Sequence, residues 1–73
     1  KRVKKSRYTV QELRDQFPIP GTTSKEVYDT LGKPDRHDSS GPHLVYGYGK
    51  VVSNGYVMFT FEDGRLVDID TVD

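Results

Sequence analysis

The residues that could do chemistry in this chain fall into two small groups. In the first, His37 and His43 are the only histidines, and Asp35 and Asp38 stand beside His37. Imidazole nitrogens and carboxylate oxygens bind metals, but a metal site needs several of them at fixed geometry. Asp and His are also ordinary residues of turns and loops. We therefore predict no metal site and no bound cofactor here.

The second group is Asp68 and Asp70, with Arg65 nearby in the sequence. A carboxylate pair could serve in acid–base catalysis. Charged residues at alternate positions of a strand also keep a sheet edge from pairing with other chains, and we favour this interpretation. The sequence shows no Ser-His-Asp arrangement with an oriented base and no glycine-rich loop between a strand and a helix. We predict that the protein is not an enzyme.

Length and charge narrow the possible partners. Seventy-three residues suit one domain, and the formal net charge is zero. A nucleic-acid-binding domain usually carries a basic excess, so we expect no nucleic-acid partner. Lys and Arg dominate the first residues, and we predict a disordered basic tail over 1–7 followed by a single domain over 8–73. The alternative for that tail is a juxtamembrane polybasic segment or a contact with phosphate.

Two short helices are marked by the residues at their ends. Each begins at a threonine that is followed three residues later by a glutamate, which is the capping-box pattern. Pro18 ends the first helix, whereas the second ends at Gly32, where positive φ is expected, just before Pro34. The two capping boxes pair Thr9 with Glu12 and Thr23 with Glu26. Helices this short need a sheet to pack against.

From His43 onward, apolar residues recur at every second position, which is typical of strands. Asn54-Gly55 predicts a two-residue hairpin turn, and this turn would place Tyr48 opposite Phe61. The residues before His43, Asp35–Pro42, are polar and are predicted to form a loop.

The second hairpin is predicted around Asp63-Gly64. A two-residue turn there would bury Asp68 and Asp70, which would cost several kcal/mol without partners. We therefore predict a three-residue loop with Gly64 in a bulge. The residues that this loop would send into the core are Val67 and Ile69.

Together these elements predict an α+β fold with two layers. Two short N-terminal helices would pack on one face of a three-stranded antiparallel meander. The predicted core comprises Val10, Leu13, Phe17, Val27, Leu31, Tyr46, Tyr48, Val57, Phe59, Phe61, Val67 and Ile69.

The other face of the predicted sheet is open and carries a small apolar group beside carboxylates. We predict that this group binds a partner protein, because Tyr and Met are enriched at interfaces. Ordinary surface apolar content is the alternative, and an exposed strand edge could also accept a partner strand. The predicted partner-binding residues are Val51, Tyr56, Met58 and Leu66.

Several short motifs resemble one known family. Ser24–Val27 running into Leu31–Asp35, then Tyr46–Tyr48 and Phe59–Leu66, are similar to the SmpA/OmlA family of BamE-like small outer-membrane lipoproteins. The fold of beta-lactamase inhibitor proteins, which repeats the same helix-helix-strand unit, is a looser match. The resemblance covers about Thr22–Ile69. The chain departs from the family in having no lipid-bearing cysteine and in placing Tyr46 where the family often has Trp.

The resemblance implies a non-enzymatic interaction domain in the periplasm or at the outer membrane of a bacterial cell envelope. Its partner would be another protein, with membrane association through an upstream anchor. An inhibitor or immunity-type domain of the same fold, which binds and blocks an enzyme, is the alternative.

Overall fold

The structure, a computed structural model, describes residues 8–49, 51–52 and 55–72. The helices are α1, Val10–Gln16, and α2, Ser24–Leu31. The strands form one antiparallel sheet in the order β1-β2-β3-β4. Their bounds are β1, Arg36–Ser40; β2, His43–Tyr48; β3, Tyr56–Glu62; and β4, Arg65–Val72. The α+β class is confirmed. The predicted basic tail over 1–7 lies outside the described residues.

Both helix starts agree with the prediction. The Thr9 hydroxyl accepts a hydrogen bond from the Glu12 amide at 3.1 Å, and the Glu12 carboxylate accepts one from the Thr9 amide at 2.8 Å. Thr23 and Glu26 make the same reciprocal pair at 3.2 and 2.8 Å. At the end of α2, Gly32 has the expected positive φ of 88°. Its ψ of −165° places it in a region open essentially to glycine alone.

The prediction of three strands is wrong, because part of the stretch predicted as a loop is strand β1. Arg36–Ser40 pairs with β2 through a two-residue turn at Gly41-Pro42, where Gly41 has a φ of 61°. All five residues of β1 are exposed. An edge strand that buries no side chain has no apolar periodicity, so the pattern of its sequence does not reveal it.

The register predicted for the next hairpin is also wrong. Tyr48 pairs with Val57, not with Phe61. The chain leaves the sheet after Tyr48, and Val52 forms a bridge with Tyr8 instead of pairing with β3. The connection is therefore longer than a two-residue turn, and Asn54 itself lies outside the described residues. Because the register differs by an even number of residues, each side chain stays on its predicted face.

The predicted three-residue loop of the second hairpin is wrong, because Glu62 pairs with Arg65 across a two-residue turn. Asp63 and Gly64 both have positive φ, at 53° and 80°, as the favoured hairpin turn requires. A β-bulge then breaks the register, because Phe61 pairs with Leu66 whereas Thr60 pairs with Asp68. Val67 is the extra residue of the bulge. The turn and the bulge together keep the carboxylates at the surface without the predicted three-residue loop.

The bulge exchanges two predicted positions. Leu66, expected on the open face, is 0% exposed, whereas Val67, expected in the core, is 40% exposed. Ile69 is buried as predicted. Val10, Leu31 and Tyr46 are only half-buried. The buried apolar core, which lies between the sheet and the two helices, comprises Leu13, Phe17, Val27, Tyr48, Val52, Val57, Phe59, Phe61, Leu66 and Ile69.

Candidate interaction surfaces

The two histidines and Asp35 are not brought together at one site. His37 lies against Tyr46, with ring centroids 5.6 Å apart, whereas the Nδ1 atom of His43 lies 3.4 Å from a carboxylate oxygen of Glu62. Asp35 accepts a hydrogen bond from the Gly49 amide at 2.7 Å. Within the described residues, no three His, Asp or Glu side chains are grouped in a way that could hold a metal ion.

The helix-free face of the sheet, here called the open face, has apolar side chains at its centre and charges at its margins. Val45, Tyr56 and Met58 are half-buried there. The cross-strand pairs place Arg36 beside Gly47 on β1 and β2, and Asp70 beside Met58 on β4 and β3. The exposed charged residues on the same face include Arg36, Asp38, Asp68 and Asp70.

The structure keeps two of the four predicted partner-binding residues on the open face. Tyr56 and Met58 lie there, half-buried. The predicted placement of Leu66 is wrong because the bulge turns this side chain into the core. Val51 packs against the core and accepts a backbone hydrogen bond from the Tyr8 amide at 2.6 Å. Prediction from sequence missed Arg36 and Asp38, because their strand carries no apolar signal.

Tyr56 also has a structural role on this face. A Cβ atom added to Gly47 would lie 2.7 Å from Cε2 of Tyr56 and 3.0 Å from Sδ of Met58. A Cβ atom on Gly49 would lie 2.9 Å from Cε1 of Tyr56. The tyrosine ring therefore lies across Gly47 of β2 and Gly49 just beyond its end, and a cross-strand aromatic of this kind compensates for glycine in a sheet.

This close packing gives a prediction about Gly47. Gly47→Ala should lower the free energy of unfolding by about 1–3 kcal/mol, since the new methyl group displaces the Tyr56 ring. In a Tyr56→Ala background the same change should cost less, because the nearest obstacle is gone and alanine suits a strand better than glycine. Sδ of Met58 and Cβ of Arg36, at 3.0 and 3.1 Å from the added Cβ atom, remain in place. Urea unfolding of the four variants of this double-mutant cycle measures the coupling. Additive costs would contradict the contact.

On the helix side, a concavity of about 250 Å³ opens beside β1, lined by Tyr28, Lys33, Pro34, His37 and Tyr46. Its aromatic rings meet edge to face: the Tyr28 and Tyr46 centroids are 6.3 Å apart. Tyr28 is 45% exposed, so one wall of the concavity faces solvent. This aromatic concavity adjoins the outer edge of β1.

Beneath the concavity, Tyr48 ties β2 to the end of α2. Its hydroxyl donates a hydrogen bond to the Gly32 carbonyl at 2.8 Å, and the residue is 3% exposed. Burial raises the pKa of Tyr48 well above its ordinary value, with smaller contributions from Tyr46, Tyr28 and Asp35. Burial disfavours the charged phenolate, so the folded state retains the neutral hydroxyl that makes this bond.

The raised pKa predicts a dependence of stability on alkaline pH. Since the folded pKa of Tyr48 exceeds the unfolded value of about 10, its contribution is fully present below that pH and is lost as the pH rises above it. Tyr48→Phe should cost about 1 kcal/mol at neutral pH and should make the alkaline loss of stability less steep. Urea unfolding at about pH 7 and about pH 11 tests both effects. Tyr56→Phe, on the opposite face of the sheet, is the control and should leave the steepness unchanged.

The two edges of the sheet differ in how they are used. Along β4, the Leu66 amide donates to the Thr22 carbonyl at 2.7 Å, and the Ser24 amide donates to the Gly64 carbonyl at 3.1 Å. Farther along, the Arg14 guanidinium donates to the Ile69 carbonyl at 3.0 Å. Among the described residues, none pairs with the outer edge of β1. Within the described part of the chain, the fold thus covers one edge and leaves the other without a paired strand.

Comparisons with known proteins supply no relative: no family model, no curated protein and no solved structure matches this chain. In the part of the chain that the structure describes, neither helix is long and apolar enough to span a membrane. The function is therefore argued from the open face, the aromatic concavity and the β1 edge.

Proposed function

We propose that this chain is a non-enzymatic protein-interaction domain of the bacterial cell envelope, resembling the SmpA/OmlA lipoproteins. The observation that supports it is the open face, where Tyr56 and Met58 stay half-exposed because no described helix packs over them. The envelope location rests on the resemblance of the sequence motifs. The order of two helices followed by an antiparallel sheet is compatible with it.

The chemistry of the open face is that of a small protein interface. Such interfaces have an apolar centre that contains aromatic or Met side chains and a polar margin. Here Met58 lies opposite Asp70, and Thr60 lies opposite Asp68, so carboxylates flank the apolar centre along β4. A partner with an apolar contact and a basic margin would satisfy both parts of this surface.

Site-specific photocrosslinking in the organism that makes the protein tests this surface. A photoreactive amino acid at Met58 should yield one discrete crosslinked protein, whereas the same group at Gln11, which is exposed on α1, should not. Met58→Lys should abolish the crosslink formed from a second probe at Thr60, while Asp70 opposite the new lysine helps the variant to fold. Equal crosslinking from Gln11 and Met58 would contradict the proposal.

The cellular location is tested separately by fractionation followed by an intact mass. A membrane-bound product that carries a longer N-terminus and the mass of acyl chains would support an anchored envelope protein. A soluble, unmodified product would favour the alternative of an inhibitor or immunity-type domain that blocks an enzyme. That second domain would also bind protein, so the crosslinking result stands independently of this one.

A further inference from the structure

The outer edge of β1 pairs with no other strand among the described residues. The direction of its backbone groups follows from the turn. Ser40 and His43 flank the two-residue turn at Gly41-Pro42, and residues in that position exchange hydrogen bonds with each other. In an antiparallel pair, the backbone groups of every second residue bond to the neighbouring strand, so those of Asp38 and Arg36 also bond to β2. His37 and Ser39 therefore direct their amide and carbonyl groups outward.

The charges of β1 are arranged symmetrically about His37. Arg36 precedes it and Asp38 follows it. The His37 side chain lies on the helix side of the sheet, against Tyr46, so the side chains of its two neighbours lie on the open face. When two copies of this strand align antiparallel with His37 opposite His37, each Arg36 lies opposite Asp38 of the second copy. Opposite charges in directly facing positions stabilise a strand pair.

The neighbouring register is opposed by the same charges. If the two copies aligned about Asp38, the two carboxylates would face each other, and like charges directly opposite destabilise strand pairing. The register about His37 also places outward-directed backbone groups of both copies in hydrogen-bonding positions. The charges and the direction of the backbone groups therefore select the same alignment.

We infer that two copies of this chain pair antiparallel through β1, with a two-fold axis at His37, to form a continuous eight-stranded sheet. This inference rests on the proposed interaction function and specifies one partner, a second copy of the chain. The axis is perpendicular to the sheet, so the two open faces become one surface and the two aromatic concavities meet on the other side. A five-residue strand buries far less than the roughly 1,000 Å² typical of stable interfaces, so the dimer is weak.

Sedimentation equilibrium of the purified full chain, from about 10 µM to about 1 mM, should show a monomer–dimer equilibrium at low salt. Arg36→Asp and Asp38→Arg should each weaken self-association by at least about tenfold, because each places like charges in both facing pairs. An equimolar mixture of the two variants should restore dimers, since each Asp of one variant then faces an Arg of the other. Lys25→Asp, a charge reversal on α2, is the matched control and should leave the equilibrium unchanged.

Ser39→Pro provides a test that does not depend on charge. Proline removes an outward amide without removing a hydrogen bond to β2, so the fold should survive while dimerisation weakens. Circular dichroism establishes that the variant is folded. A wild-type chain that stays monomeric over the whole range overturns the inference, as does a mixture of the charge variants that forms no heterodimer. These measurements use the purified chain alone, so they test self-association separately from the Met58 crosslink. Either result can be negative while the other is positive.

Discussion

Phe59→Ala is expected to remove most of the stability of this domain at room temperature. Phe59 is 0% exposed at the centre of β3. Its ring meets Phe17 of α1 and Tyr48 of β2, each with a centroid separation of 5.7 Å and an interplanar angle of 88°. Truncating a buried phenylalanine costs about 3–5 kcal/mol. A domain of this size has a total stability on the order of 5 kcal/mol.

The size of the effect follows from the position of the ring between both layers. Removing it leaves a cavity that Phe17 and Tyr48 cannot fill without giving up their own contacts, and Tyr48 is also fixed by its hydrogen bond to Gly32. In a domain of this size each kcal/mol changes the melting temperature by about 4–8 °C. The melting temperature should therefore fall by at least about 12 °C, measured by thermal unfolding followed by circular dichroism.

Phe59→Leu is the matched control because it keeps most of the buried volume. It should retain a cooperative transition with a smaller loss, since a hydrophobic replacement of similar size is tolerated better than truncation. A melting temperature for Phe59→Ala within a few degrees of wild type would show that the aromatic cluster is not central to stability.

The parts of the fold that sequence predicted are those encoded by local chemistry. Thr9 and Thr23 define helix starts because the hydrogen bonds of a capping box involve only neighbouring residues. The face of each residue in β2 and β3 followed from alternation, which survives any even change of register. Gly32 was identifiable because a helix end needs a backbone conformation that other residues resist.

The two errors in strand assignment have different causes, a contact between distant residues and a strand that buries no side chain. Asn54-Gly55 is a strong turn signal, yet Val52 pairs with Tyr8, more than forty positions earlier, and this pairing ends the hairpin sooner. Among the described residues, strand β1 pairs with β2 alone and buries no side chain, so its residues have the composition of a loop. No local pattern distinguishes an exposed edge strand from a polar loop.

The candidate site was also predicted only in part. Tyr56 and Met58 were placed correctly because β3 alternates cleanly, whereas Leu66 was misplaced by a bulge that the sequence does not mark. The charged edge at Arg36 and Asp38 could not be found, because its strand was not recognised. The aromatic concavity needed α2 and β1 side by side, which only the three-dimensional structure provides.

The bulge in β4 gives the second large prediction, a difference between adjacent residues. Leu66→Ala should lower the free energy of unfolding by about 2–5 kcal/mol, whereas Val67→Ala should change it by less than about 1 kcal/mol. Leu66 is 0% exposed and lies opposite Phe61, whereas Val67 is the unpaired bulge residue and is 40% exposed. Urea unfolding of the two variants under the same conditions measures the difference.

This comparison separates the two possible forms of the hairpin. A three-residue loop at Asp63-Gly64 would bury Val67 and expose Leu66, so it would reverse the order of the two effects. The turn with positive φ at both central residues, followed by the bulge, requires the order given above. Leu66→Met should cost less than about 1.5 kcal/mol because it conserves buried volume. That control distinguishes loss of packing from disturbance of the backbone, where the Leu66 amide donates to Thr22 and joins β4 to the connection between the helices.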